Sequence, residues 1–304
     1  MMKPAEIPLA AAAGKESPLS RFWNEFAESK LALIGAVLLA LIILVAIFAP
    51  FISPQNPYDL AKLDILDSRL APGEVSSAGA KHLLGTDDQG RDMLSGIFYG
   101  LRISLGVGVV STLFAVTIGL TLGMIAAYFG GWVDTLIMRI VDIQLSFPAI
   151  LIALILLAVL GQGVDKIIVA LITVQWAYYA RTVRSSALVE KQKEYMEAAK
   201  VLALSKSRIL FRHLLPNCLP PLIVVATVQV AHAIALESTL SFLGLGLPIT
   251  EPSLGLLISN GFTYLMSGKY WISFYPGVAL LLTIMSINLV ADQLRDVLNP
   301  RLKK

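Results

Sequence analysis

The sequence predicts an all-α integral membrane fold, and three observations carry that prediction. Apolar residues make up 56% of the 304-residue chain and charged residues only 15%, where soluble domains carry roughly a quarter. The apolar residues are gathered into long blocks, with a mean hydropathy of +0.74, and blocks of about 20 residues are what a bilayer core requires. Within those blocks apolar and polar positions do not alternate, as they would in a membrane barrel. Helices, which satisfy their backbone groups internally, are then the spanning structure.

Residues 1–30 form a polar tail ahead of the first block. The stretch to about Pro18 is rich in Ala and Pro with no period, as in disordered termini. Arg21–Lys30 reads as a short amphipathic surface helix with Phe22, Trp23 and Phe26 on its lipid side. The first span is Leu31–Phe51, residues 31–51, and no small-residue cleavage site follows it, so it reads as a retained helix. Residues 52–100 form an external segment, the one long loop. Five further blocks follow: Ile103–Tyr128, Ile137–Leu160, Ile167–Tyr179 with an extension toward Val183, Leu219–Leu240 and Phe274–Val290. They set a core spanning domain at 101–291, and residues 292–304 form a second tail. In the third block, Asp142, Gln144 and Pro148 read either as a kink with a buried polar partner or as a gate.

Basic residues orient the spans. Arg181, Arg184, Lys191, Lys193, Lys200, Lys206, Arg208 and Arg212 sit between the fourth and fifth blocks, and Arg295, Arg301, Lys303 and Lys304 sit in the tail. With six spans, that loop and both termini share the cytoplasmic side. A net charge of +3, dispersed along the chain, argues against a nucleic-acid partner. Cys218 is the single cysteine, and His82, His213 and His232 are far apart, so no metal cluster is suggested. There is no phosphate-binding loop motif, since Gly14-Lys15 lacks the upstream Gly and Gly268-Lys269 is followed by Tyr270. The His-Glu-x-x-His run of an intramembrane protease is absent too. No internal repeat is visible, which counts against a secondary transporter built from duplicated halves. A transporter of that kind would need its own coupling-ion site, with Glu237 or Asp142 as candidates.

The loop itself is helical in pattern but too polar for lipid. Met196, Ala199, Val201, Leu202, Ile209, Leu210 and Leu214 make one apolar stripe. Ser205 is placed to cap a second short helix, and Pro216 marks where that helix stops or bends. Two short helices joined by a tight turn outside the bilayer suit a partner protein's groove.

Glu197-Ala198-Ala199, followed by Ile209 and Leu215-Pro216, resembles the EAA signature of binding-protein-dependent ABC importer permeases. Four further segments narrow the likeness. They are the run from His82 to Asp92, Tyr99 to Leu105, Glu237 to Gly246, and Ala291 to Asp296 with Asn299-Pro300-Arg301. Together they resemble the C-type permease subunits of dipeptide and oligopeptide importers, a subgroup that nickel and glutathione importers share. The resemblance implies six transmembrane helices of the type I ABC importer kind, with cytoplasmic coupling helices at 187–216. It assigns ATPase contact to Glu197, Ala198, Ala199, Val201, Leu202, Ala203, Ser205, Ile209, Leu215 and Pro216. It also implies a second homologous permease, two cytoplasmic ATPase subunits and a periplasmic or lipid-anchored solute-binding protein as partners. The setting is a bacterial or archaeal cytoplasmic membrane, and the cargo is a peptide or a related small solute. The chain itself is expected to be non-catalytic and to bind no cofactor, with ATP and Mg used by the ATPase subunits. That family has Gly six residues after the Glu, where this chain has Ala203. A left-handed turn there would cost Ala about 1 kcal/mol; a continuous helical path would avoid the cost.

Beside that loop stand two other groups of candidates. Gly85, Thr86, Asp87, Gly90, Arg91 and Asp92 belong to the external segment, where carboxylates among glycines favour turns and caps over a metal site, with Arg91 pairing an acid. Asp142, Gln144, His232 and Glu237 are candidates for the translocation path, since ionisable groups at membrane depth face protein or water. For Glu237 the alternative is hydrogen bonding at the helix break before Gly244.

Overall fold

A computed structural model describes residues 17–59 and 63–298. The expectations for the stretch before Ser17, and for Asn299-Pro300-Arg301 with Lys303 and Lys304, lie outside them. Helix α1 (Pro18–Ala27) starts at Ser17, whose Oγ accepts the Ser20 amide at 3.1 Å. It packs against the helices Lys30–Ile52 and Trp271–Leu298, and the Gln293 side-chain amide donates to the Glu25 carbonyl at 3.0 Å. This corrects the lipid-facing placement of Phe26, which is buried, whereas Trp23 is exposed.

Helix α2 (Lys30–Ile52) is capped by Ser29 and buries Ala32, Gly35, Ile42, Ala46 and Ala49. Its outer face of Leu31, Ile34, Val37, Leu41 and Phe48 is exposed, as lipid contact requires. Small residues let membrane helices approach closely: a Cβ on Gly35 would stand 2.7 Å from Leu289 Cβ of α11 (Trp271–Leu298).

Helix α3 (Met93–Phe129) begins ten residues before the predicted span, because Asp92 caps it by accepting the Ser95 amide at 2.8 Å. Its 37 residues rise about 55 Å, well beyond a hydrocarbon core of about 30 Å. The external segment therefore lies at one end of α3 and the polar loop at the other. The helix packs along α6 (Val164–Glu190), where Cβ atoms on Gly119 and Gly123 would come within 2.5 Å of Tyr179 Cβ and the Ala180 carbonyl.

The predicted third span is not one helix. It is α4 (Gly131–Ser146) and α5 (Ala149–Leu160), bent by 90°. Pro148 disfavours helical geometry at Phe147, which is extended at φ −95° and ψ 142°. The chain is therefore kinked at Pro148.

Beyond the polar loop, α8 (Lys206–Arg208), a π-helical turn (Ile209–Leu214) and α9 (Leu215–Phe242) run on as one rod. Pro216 therefore does not end a helix. It lies inside the rod directly after the π-helical turn, where the Asn217 side-chain amide donates to the His213 carbonyl at 2.6 Å. Helix α10 (Leu254–Phe262) then packs between α9 and α11, so closely that a Cβ on Gly255 would lie 2.2 Å from the Ser238 carbonyl.

Among the described residues four helices are long and apolar enough to cross a bilayer: α2, α3, Lys206–Phe242 and α11. The bent α4–α5 pair makes five if taken as one span. The remaining expected span, the fourth block at Ile167–Tyr179, corresponds to α6, which carries Asp165, Lys166, Gln175, Arg181 and Arg184 and falls short of that apolarity. It compensates by position, with Ile167, Leu171, Val174, Ala177, Tyr179, Ala180 and Val183 all buried among its neighbours.

Candidate functional site

The polar loop folds into a short helix with two unlike faces. After α6 ends at Glu190, α7 (Glu194–Val201) begins with Glu194 and Glu197 in its first turn, where carboxylates oppose the positive end of the helix dipole. Met196 and Ala199 are buried against Ile209, Leu214, Cys218 and Leu222. Glu197 and Ala198 face outward, together with Val201 and Leu202, which are 85% and 71% exposed. The predicted single apolar stripe is thus two surfaces. Met196, Ala199, Ile209 and Leu214 seat the helix, and Val201 and Leu202 are left uncovered among the described residues. Of the remaining contact candidates, Ser205 and Pro216 are exposed and Leu215 is half-buried.

The end of α7 answers the question raised by Ala203. Its φ is +50°, so the turn is left-handed and not a continuous helix. The Leu204 amide donates to the Ala199 carbonyl at 3.2 Å, the long bond of a Schellman cap. Ala therefore occupies a position that glycine fills without steric cost. Ser205 then caps α8, accepting the Arg208 amide at 3.4 Å.

A set of polar side chains that the sequence reading passed over holds α7 in place. Glu190, the last residue of α6, receives Lys193 Nζ at 2.5 Å and the Tyr195 hydroxyl at 2.7 Å. Asn217 Nδ2 of α9 donates to the Tyr195 oxygen at 3.2 Å and to the His213 carbonyl at 2.6 Å. Burial, and then the Glu190 carboxylate that accepts its proton, push the Tyr195 phenol above its ordinary range. Lys191 Nζ donates to the Ala127 carbonyl at 2.6 Å, at the end of α3. Helix α7 is thereby tied to α6 and α9 through Tyr195, and the end of α6 that leads into it is tied to α3 through Lys191. The Glu190–Lys193 spacing was visible in the sequence; the Tyr195–Asn217 contact, 22 residues apart, was not.

Two arginines counted above as loop charges lie within α6. Arg184 makes paired bonds to Asp134 of α4 at 2.5 and 2.6 Å, and Arg181 pairs with Asp142. Asp142 is thus an exposed ion-pair member and not a buried polar partner. Gln144 donates to the Thr173 carbonyl at 2.9 Å. A groove of about 540 Å³ runs beside them, lined by Leu145, Tyr178, Arg181, Thr182, Ser185 and Ser186. His232 is exposed while Glu237 is fully buried, so the path candidates do not converge. Glu237 accepts the hydroxyls of Ser104 of α3 and Ser241 at 2.8 Å each, and that of Ser238 at 3.3 Å. Hydroxyls, not the backbone groups of the break before Gly244, are what it meets.

At the opposite end the external residues form a folded cap. Asp87 and Arg91, both fully buried, pair at 2.7 Å, and Arg91 also donates to the Ile249 carbonyl at 3.1 Å. Asp92 accepts His82 Nδ1 at 2.9 Å beside its capping bond to α3. The Thr86 hydroxyl donates to the Asp67 carbonyl at 2.6 Å. Gly85 and Gly90 have φ near +80°, and Cβ atoms there would lie 2.5 and 2.4 Å from the Leu70 and Asp64 carbonyls.

Long apolar helices, a braced polar helix at one end and a folded cap at the other make up a membrane-transport permease architecture. Residues 119–304 match the family described as binding-protein-dependent transport system inner membrane component. Residues 17–72 match the N-terminal TM domain of oligopeptide transport permease C. The chain belongs to this permease family. It is 35% identical over 300 residues to the dipeptide transport system permease protein DppC of Haemophilus influenzae, covering 99% of this chain and 100% of that one. It is 39% identical over 289 residues to DppC of Escherichia coli K12, covering 95% of each. A putative peptide transport system permease protein of Brucella suis is 40% identical over 270 residues, covering 89% of this chain and 88% of that one. Among solved structures, the inward-facing MetNI methionine ABC transporter superposes with a TM-score of 0.56 at 22% identity, over 68% of this chain and 98% of that one. That likeness shows the fold.

Proposed function

We propose that the chain is the solute-conducting subunit of an ATP-driven importer, with peptides or closely related small solutes as cargo. The observation that carries the reading is the outward face of α7, where Glu197, Ala198, Val201 and Leu202 stand exposed on a helix tied to α6 and α9. Such a helix moves with the bundle, so a push received there reaches the spans. The peptide-permease relatives over nearly the whole chain support the cargo class. In this reading the α7 end and both termini are cytoplasmic. Two ATPase subunits dock there and use ATP and Mg, a second homologous permease completes the conduit, and a periplasmic or lipid-anchored binding protein delivers solute to the external cap. This chain hydrolyses nothing and holds no cofactor of its own. Residues 31–51, 101–291 and the loop 187–216 divide the work into anchor, conduit and coupling element, between the tails 1–30 and 292–304 and the cap at 52–100.

The test is purification of the tagged chain in mild detergent with identification of its stoichiometric partners. An ATPase and a second permease should be recovered from wild type. The Glu197→Lys variant should insert normally yet lose uptake. A functional homo-oligomer without an ATPase, or full uptake by that variant, would overturn the reading.

A further inference from the structure

The groove of about 540 Å³ between α4 and α6 takes no part in bracing α7. One side of it is a single face of α6. Tyr178, Arg181, Thr182 and Ser185 recur there at helical spacing, while Ala177, Ala180, Val183 and Ala187 are buried. Leu145 of α4 forms the other side. Two contacts hold α4 on α6 on either side of Arg181: the paired bonds of Arg184 to Asp134, and Gln144 to the Thr173 carbonyl at 2.9 Å. The walls of the groove therefore do not depend on the Arg181–Asp142 contact.

The two ion pairs differ in what they leave available. Arg184 engages Asp134 through Nε and Nη2 together, and both side chains are largely covered. Arg181 reaches Asp142 through Nη2 alone, and these side chains remain 49% and 57% open. A guanidinium carries five N–H donors in a fork that matches a carboxylate, and Asp142 is the one acceptor Arg181 meets among the described residues. An ionisable pair on the outward face of a spanning helix meets water or protein, not lipid. Beside the pair, the Thr182 hydroxyl donates to the Tyr178 carbonyl at 2.9 Å and keeps its lone pairs. The hydroxyls of Tyr178, Ser185 and Ser186 are likewise at hand along the groove. A cation and an anion side by side, among hydroxyls that donate and accept, complement a molecule with both charges and an amide between them. The volume falls within the range of about 300–1,000 Å³ typical of small-ligand sites.

We infer that this groove is a transit site for peptide at the inner mouth of the conduit, where Arg181 receives the terminal carboxylate and Asp142 the terminal ammonium. Arg181 lies about 13 Å along α6 from Glu190, the end from which the chain enters α7. The inference rests on the cargo and the orientation given under Proposed function. An arriving peptide exchanges its own charges for the single Arg181–Asp142 bond, and that bond re-forms when the peptide leaves, so neither charge is left without a partner.

The experiment is photocrosslinking of the purified complex in nanodiscs, without binding protein, by the dipeptide p-benzoylphenylalanyl-alanine. Ala-Ala, Ala-Ala amide and N-acetyl-Ala-Ala serve as competitors. Labelling should fall within residues 142–145 and 178–186. Ala-Ala should compete about ten-fold better than either capped form, the effect of one hydrogen bond between charged groups. Arg181→Gln should abolish the preference over the amide alone, and Asp142→Asn the preference over the acetyl form alone, each with unchanged Tm. Ser185→Trp, an exposed change that fills the groove, should remove the labelling. Labelling elsewhere, capped peptides that compete as well as Ala-Ala in wild type, or preferences that survive both charge variants would overturn the site. A complex that carries the ATPase and takes up dipeptide once binding protein is restored, yet shows no such preference, defeats this inference alone. The preference in a complex without ATPase would defeat the importer reading and not the site.

Discussion

Replacing Val201 and Leu202 together with Ser separates docking from folding. Full burial of a Val or Leu side chain is worth about 1.5–3 kcal/mol. With 85% and 71% of these residues still open, an ATPase groove closing over both gains about 2–4 kcal/mol, less whatever ordering the contact requires. Removing that gain weakens association by about thirty-fold or more, at 1.4 kcal/mol per tenfold. The assay is titration of the purified ATPase onto the permease in nanodiscs. The control is Met196→Ala on the opposite face, where truncating a buried side chain costs about 2–5 kcal/mol of stability and lowers Tm. The expected pattern is a lost affinity with unchanged Tm for the outer pair and a lowered Tm for Met196→Ala. An outer-pair variant with unchanged Tm and affinity within two-fold of wild type would refute the assignment of this face to docking.

Tyr195→Phe deletes the bonds to Glu190 and Asn217 and should cost about 1–3 kcal/mol, seen as ATPase turnover less tightly linked to uptake in proteoliposomes. Ala203→Gly removes a left-handed strain of about 1–2 kcal/mol against an entropic loss of about 0.4–1 kcal/mol, so Tm should rise slightly; a fall would mean the turn is not left-handed. Burial, and then the Asp87 carboxylate, raise the Asp88 carboxyl above its ordinary value. Its ionised form therefore weakens the external cap above that raised pKa, and protonation relieves the penalty as pH falls through it. Asp88→Asn should accordingly raise Tm at neutral pH, with the gain fading toward about pH 4, as thermal melts at the two pH values would read.

The sequence alone determined that the chain is helical and membrane-embedded, because apolar blocks of this length leave the backbone no other solution. It also marked α7 as the element of interest, since a helical pattern too polar for lipid stands out against apolar neighbours. The kink at Pro148 was legible for the same local reason. Tertiary structure decided what depends on neighbours distant in sequence. It divided one apparent apolar stripe into a seat of Met196, Ala199, Ile209 and Leu214 and an exposed pair at Val201 and Leu202. It drew Arg181 and Arg184 into α6 by giving them Asp142 and Asp134 as partners, and it ran the helix through Pro216 after a π turn. The brace of Glu190, Tyr195 and Asn217 and the serine shell of Glu237 join residues from separate helices. Periodicity reports which face of a helix is apolar; only the packed bundle determines which helix that face meets.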